Sequence, residues 1–339
     1  MILRMKRGVS APAVQQIRAR IEGEGLRVFK STETLRSILA VVDKVPGALS
    51  KELSNLPEVE EVAQPKAAWR LIAREFRDSV TRIKLGKVEI GPETVVVIAG
   101  PCSVEGTELM EEAARSVVNA GAHILRGGAF KPRTSPYAFQ GFGVEGLRQL
   151  KDAGDKFGLP VLTEIMDASD LPAFLDHDID CLQIGARNMQ NFRLLKAVAQ
   201  AGKAVVLKRG LSATVEEWLY AAEYLAAGGC QGIILCERGI RTFETATRNT
   251  LDLTVLPLLA EMTHLPVIVD PSHAAGIARL VAPLSRASLA AGAAGVAVEV
   301  HPRPSEARSD GPQALLPAEL TSLVADARVQ AAVSGRRLA

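Results

Sequence analysis

The chain has 339 residues, more than one ordinary domain needs and enough for a barrel of about 250 residues with a small extra domain. Its composition, 47% hydrophobic and 23% charged, excludes an intrinsically disordered chain and supplies apolar side chains for a sizeable core. A net charge of only +2 from 40 Lys plus Arg, with 4% aromatic residues, excludes a global basic field for nucleic acid, so any cationic function must be local.

The N-terminus MILRMKRG carries charge and lacks a following apolar segment and small-residue cleavage site, so it does not read as a signal peptide. Residues 1–65 read as a small separate unit. A strand over Ile2 to Met5 precedes a helix opened by Ser10, with Val14, Ile17 and Ile21 on one face and Gly25 at its end. Strands near Leu26 to Phe29 and Leu35 to Val42, a helix around Ala48 to Leu56 and a strand near Glu58 to Ala63 complete a βαββαβ order, which predicts a ferredoxin-like fold.

Residues 66–94 read as a linker ending in a β-hairpin, where Gly86-Lys87 turns between TRIKL and VEIG and closes the barrel bottom. From Val95 to about residue 335, short β-branched runs alternate with helical stretches, as βα units around a parallel sheet do. The strands are expected at 95–99, 123–126, 161–163, 181–184, 204–207, 232–235, 266–269 and 295–298. Thr214 and Glu217 form a capping-box spacing, and Gly121, Gly202 and Gly228 mark helix ends. Eight βα units predict an α/β fold with a closed (β/α)8 TIM barrel, and no strand opens a G-x-G-x-x-G turn that would favour an open nucleotide-binding sheet.

Four cysteines, Cys102, Cys181, Cys230 and Cys236, show no C-x-x-C pairing, which argues against a structural zinc site and a disulfide framework and fits a reducing cytoplasm. No apolar stretch reaches the roughly 18 to 20 residues a membrane span needs.

Reactive groups in such barrels follow the C-terminal ends of the strands. Taken in order, those positions carry Cys102, Arg126, Glu164, Arg187, Lys208, Glu237 with Arg238, Asp270 with His273, and Glu299 with His301. Any one of these reads most simply as a buried thiol, a salt-bridge partner or a rim charge. The whole set on one face does not, because burying so many charges must be offset by ligands or partners. Arg126, Lys131, Arg133, Arg187, Lys208 and Arg238 exceed what one phosphate needs and predict two anionic substrates, or one with several anionic groups. Cys102, Glu299 and Asp310 with either His273 or His301 offer a mixed thiolate, imidazole and carboxylate set for a borderline divalent ion such as Mn, Fe, Co or Zn. Spacing alone does not choose the histidine.

The runs AGPCSVE (99–105), LRGGAFKPRTSPY (125–137), QIGARNMQN (183–191), LKRG (207–210), ILCERGIRTFE (234–244), DPSH (270–273) and VEVHP (298–302) together resemble 3-deoxy-D-arabino-heptulosonate 7-phosphate (DAHP) synthases. The extra N-terminal unit is similar to that of the I-beta subgroup. A sister family, 3-deoxy-D-manno-octulosonate 8-phosphate synthase, is similar to KANRS where this chain has KPRTS at 131–135. The resemblance therefore implies erythrose 4-phosphate as the acceptor of phosphoenolpyruvate, with arabinose 5-phosphate as the alternative.

Carried over by motif, the resemblance implies Cys102, His273, Glu299 and Asp310 as metal ligands. It implies Arg126, Lys131, Ala186, Arg187, Lys208 and Arg238 around phosphoenolpyruvate, and Lys131, Pro132, Arg133, Thr134, Ser135 and Asp310 around erythrose 4-phosphate. Glu164 falls where the family places a carboxylate near the reacting carbon, and Lys131 is expected to serve as an acid with its pKa lowered by Arg126. For residues 1–65 the resemblance implies a feedback device that closes over the barrel mouth when Phe or Tyr binds; a role in oligomer packing only stays open beside it. A homotetramer is implied as well. A rival from another class, a non-catalytic sugar-phosphate sensor, predicts phosphate-ligand binding with no metal-dependent phosphate release.

Overall fold

The computed structural model describes residues 1–339 apart from 32–35, 66, 78 and 134. The expected strand start at Leu35 and the acceptor-segment residue Thr134 lie outside the described residues. Two compact units emerge, Met1–Val80 with Ala260–His264, and Thr81–Leu259 with Leu265–Ala339.

The first unit contains β1 (Ile2–Met5), α1 (Ala11–Glu22), β2 (Val28–Lys30), β3 (Ile38–Val41), α2 (Gly47–Ser54) and β4 (Val59–Ala63). The antiparallel sheet runs β2-β3-β1-β4, the ferredoxin-like order. Ser10 caps α1, whose side chain accepts from the Ala13 N–H, and the helix closes at Gly23 rather than Gly25. Val14, Ile17 and Ile21 pack with Leu3, Met5, Leu39, Val41, Leu49 and Leu53 in one core. Each such side chain contributes about 1.5–3 kcal/mol on full burial.

The boundary expected at residue 65 moves to Val80 for a physical reason. Ile2, Ile38 and Ala40 on the other sheet face are also buried, as are Leu71, Ile72 and Ala73. Arg70 donates to the Val41 and Val42 carbonyls, and Thr263 and His264 bond the Ile72 and Leu71 carbonyls. A segment read as linker is therefore packed structure.

The second unit opens with a hairpin, β5 (Ile83–Leu85) and β6 (Val88–Ile90), turned at Gly86-Lys87. Eight parallel strands follow: β7 (Thr94–Gly100), β8 (Ile124–Arg126), β9 (Val161–Ile165), β10 (Cys181–Ile184), β11 (Ala204–Lys208), β12 (Ile233–Glu237), β13 (Val267–Val269) and β14 (Gly295–Glu299). They pair in sequence order, and β14 closes on β7 with Val296 opposite Val97. The main surrounding helices are α3 (Thr107–Ala120), α4 (Val144–Phe157), α5 (Leu171–Asp176), α6 (Phe192–Ala199), α7 (Val215–Ala227), α8 (Val255–Met262), α9 (Pro271–Ala275), α10 (Ala278–Ala290) and α11 (Pro317–Val333).

Val96, Ile98, Ile124, Leu162, Cys181, Val206, Ile234 and Ile268 fill the barrel interior in one cluster with Ile83, Leu85, Val88 and Ile90 of the hairpin. The hairpin thus plugs the end from which the strands start. Past residue 335, where the barrel was expected to stop, β15 (Arg337–Leu338) pairs in parallel with β7. The capping box of α7 forms as the sequence predicts, with Thr214 and Glu217 bonding each other's backbone N–H. No helix among the described residues is long and apolar enough to cross a membrane.

Candidate active site

A cavity of about 290 Å³ opens at the C-terminal ends of the strands, lined among others by Lys131, Arg133, Glu164, Arg187, Lys208 and Arg238. Pro132, Ala186, His273 and Asp310 also line it. Cys102, Arg126 and Glu299 lie behind this wall, each bonded directly or through one partner to a lining residue. Ser135 is not among the lining residues; its hydroxyl accepts from the Tyr137 N–H at 3.3 Å.

At the base of the cavity Cys102, His273, Glu299 and Asp310 bring one ligand atom each within 4.8 Å of one another. They come from the end of β14 and the segments after β7, β13 and β14, which are neighbours because the barrel closes. His301 does not join them. Its Nδ1 accepts from the Arg303 N–H at 3.0 Å, and its buried Nε2 faces Glu105 at 3.6 Å.

The donor set suits a divalent ion by its second partners as well as by its identity. Asp270 holds His273 Nδ1 at 2.8 Å, leaving Nε2 turned toward Glu299 Oε1 at 3.3 Å. Burial is the largest influence on His273 and lowers its pKa, against the pull of Asp270. Burial alone would raise Asp270, but His273 and Lys208 hold its carboxyl well below the usual range. Burial and nearby Glu299 push the Cys102 thiol up to about 12, and its Sγ donates to Asp310 Oδ2 at 3.1 Å. A cation seated here would displace that proton, the coupling expected of thiolate sites.

Charge around the cluster is partly paired. Arg126 bonds Glu299 at 2.7 Å and Lys208 bonds Asp270 at 2.6 Å, both pairs buried. Lys131 Nζ reaches the Cys102 carbonyl at 2.9 Å and its sulfur at 3.0 Å. The expectation that Lys131 has a lowered pKa is not met. Burial and Arg126 do pull the ammonium down, but Cys102 and Glu299 outweigh them and the net shift is upward.

Glu237, expected at the site, turns instead to Arg209 at 3.0 Å in a buried network with Asp252. Arg238 is left with a buried Nη1 that has no hydrogen-bond partner among the described residues, and burial lowers its pKa. A buried guanidinium nitrogen left unsatisfied on a cavity wall suits an anion. Glu164 accepts from Gln183 Nε2 at 3.0 Å. Gly185 makes room for it: a Cβ there would lie 2.0 Å from Glu164 Oε1.

Inspection of strand ends misses Arg248, which lines the same cavity and bonds Asp310 Oδ1 at 3.1 Å and Gln313 Oε1 at 2.9 Å. It also misses Gln313, Arg209 and Asp252. Arg209 could have been found, since it directly follows Lys208 in LKRG. Arg248 sits in a loop and Gln313 in a short 3-10 turn, Gly311–Gln313, where no spacing rule announces them.

The sequence matches the DAHP synthetase I family over residues 71–331. It is 46% identical over 315 residues, 93% of each chain, to the phospho-2-dehydro-3-deoxyheptonate aldolase of Thermotoga maritima. The crystal structure of a DAHP synthase of that name from the same organism superposes with a TM-score of 0.79 at 43% identity, covering 100% of this chain and 99% of that one. A 2-dehydro-3-deoxyphosphooctonate aldolase of Magnetococcus marinus is 33% identical over 249 residues, 68% of this chain and 85% of that protein. With the family match spanning most of the barrel and the first relative spanning nearly the whole chain, this protein belongs to the DAHP synthetase I family.

Proposed function

We propose that the chain condenses phosphoenolpyruvate with erythrose 4-phosphate and water to give DAHP and phosphate, the first step of the shikimate pathway toward the aromatic amino acids. The observation that carries this reading is the four-donor cluster beside Lys131, at the base of a cavity whose Arg187 and Arg238 have no carboxylate partner among the described residues. Cys102, His273, Glu299 and Asp310 would hold a divalent ion (Mn, Fe, Co or Zn), which when bound supplies Lewis acidity toward the aldehyde oxygen.

The chain's own residues do the rest. Arg126, Ala186, Arg187, Lys208 and Arg238, with Lys131, hold the phosphate and carboxylate of phosphoenolpyruvate. The phosphate of erythrose 4-phosphate falls to Arg133 with Pro132, Thr134 and Ser135. C3 of phosphoenolpyruvate then attacks the aldehyde carbon. Lys131, an ammonium like any lysine at neutral pH, gives a proton to the new alkoxide oxygen. Glu164 takes a proton from the water that attacks C2, and phosphate leaves by cleavage of its C–O bond.

Residues 1–65 act on this reading as a feedback sensor for Phe or Tyr, in a cytoplasmic homotetramer. Inhibition by either amino acid that vanishes when the chain starts near Val80 would support the sensor; inhibition surviving truncation would refute it.

The second reading is the octulosonate synthase, favoured by relatives of that activity at 33% identity. Against it stands KPRTS at 131–135. Comparing kcat/KM for erythrose 4-phosphate and arabinose 5-phosphate decides: preference for the former is expected, and preference for the latter would overturn the DAHP assignment.

A further inference from the structure

Each carboxylate of the four-donor cluster has one oxygen held from outside and the other turned inward. Asp310 Oδ1 accepts from Arg248 Nη1 at 3.1 Å, while Oδ2 faces Cys102 Sγ. Glu299 Oε2 accepts from Gln313 Nε2 at 2.7 Å, while Oε1 faces His273 Nε2 and also accepts from Arg126 Nη1 at 2.7 Å. The two outer partners are themselves joined, because Arg248 Nη1 also donates to Gln313 Oε1 at 2.9 Å.

Arg248 is in turn fixed to the element that carries the imidazole. Its backbone N–H donates to the Ala275 carbonyl at 3.0 Å, and Asn249 Nδ2 donates to the His273 carbonyl at 3.1 Å. Gly276, at φ +70°, permits this approach: a Cβ there would lie 2.8 Å from Arg248 Cβ. The loop pair Arg248-Asn249 after β12 thus connects, directly or through Gln313, to three of the four donors.

We propose that Arg248, acting with Gln313, is a positioning residue that orients the Glu299 and Asp310 carboxylates and so raises the affinity of the cluster for a divalent cation. The proposal rests on the reading of the cluster as a metal site. Outer partners of metal ligands commonly change affinity about 10- to 100-fold when removed. Direction separates this role from simple electrostatics. A guanidinium beside the site repels a dication, so if charge were all that mattered, its removal would tighten binding; if orientation matters, removal weakens it.

The experiment is a Co2+ titration of the full chain, dialysed against chelator, followed by the near-ultraviolet thiolate-to-cobalt charge-transfer band. Wild type, Cys102→Ala, Arg248→Met and Gln313→Met are compared, with thermal melting as the folding control. The expected result is saturable binding in wild type, loss of the band in Cys102→Ala, and Kd raised at least about 10-fold in Arg248→Met and Gln313→Met at unchanged melting temperature. Unchanged or tighter binding in Arg248→Met overturns the proposal while leaving the metal site standing. A wild type without the Cys102-dependent band refutes the metal reading itself, and the proposal with it. Should Arg248→Met not fold, Gln313→Met decides by the same criterion.

Discussion

Gly185→Ala isolates the position of one carboxylate. Gly185 has φ −68° and ψ 158°, a conformation alanine adopts freely, so the backbone is not strained. The added Cβ would stand 2.0 Å from Glu164 Oε1 and 2.7 Å from its Cδ. An ordinary contact needs about 3.4 Å, so the carboxylate must retreat by about 1.4 Å and give up or distort its 3.0 Å bond from Gln183. That lost bond costs about 1–2 kcal/mol, and the lower chain entropy of unfolded alanine returns about 0.4–1 kcal/mol. Thermal stability should therefore change little. A displacement of about 1 Å at a reacting group costs about 100-fold in rate, equivalent to about 2.7 kcal/mol of barrier. Steady-state kinetics should show kcat falling by roughly that factor with KM for phosphoenolpyruvate near wild type. A kcat within about 3-fold of wild type, at an unchanged melting temperature, would refute the role given to Glu164 in activating water.

Lys131→Met should lower kcat by at least about 100-fold, the usual contribution of a positioned general acid; near-normal turnover would remove Lys131 from that role. Arg209→Met strands the buried Glu237 carboxylate and should destabilise the barrel by about 3 kcal/mol in urea unfolding, whereas Arg209→Met/Glu237→Leu, which removes that buried carboxylate and leaves only the more exposed Asp252 without Arg209, should recover part of that loss. A double variant no more stable than the single one would count against the ion pair as the cause. His264 is buried with its pKa lowered to about 4 by desolvation, so the unfolded chain binds the extra proton more readily than the folded one. The stability this confers is complete above about pH 6.5 and falls as pH drops toward 4, with about 2.5 kcal/mol gone by about pH 4.5. Urea midpoints of wild type and His264→Gln at pH 7 and 4.5 test it: the variant should lose markedly less on acidification, and equal losses would contradict the assignment.

The barrel was legible because each strand is a short apolar, β-branched run between helical stretches, and closure follows from having eight of them. The metal-ligand candidates were legible for the same reason, since Glu299 ends its strand and Cys102 and His273 lie two and four residues past theirs. Spacing could not separate His273 from His301, because both follow strand ends; what separates them is Asp270, which turns one ring toward Glu299, and the Arg303 N–H, which turns the other away. The upward shift of Lys131 was not legible either. It depends on a thiol 3.0 Å away that lies far off in sequence. Residues 66–80 carried no periodic pattern, yet Leu71, Ile72 and Ala73 are buried by long-range contacts that only the folded chain reveals. Arg248 and Gln313 escaped for the same reason, being defined by what they bond across loops.

The central claim is that a divalent ion on Cys102, His273, Glu299 and Asp310 lets this chain join phosphoenolpyruvate to erythrose 4-phosphate. Phosphate release from the two substrates together, measured on the full chain with and without chelator, tests it most directly. Release should need both substrates, stop with chelator, return on adding Mn2+ or Co2+, and be absent in Cys102→Ala. Undiminished release in excess chelator, or none under any condition in a folded wild-type chain, would contradict it.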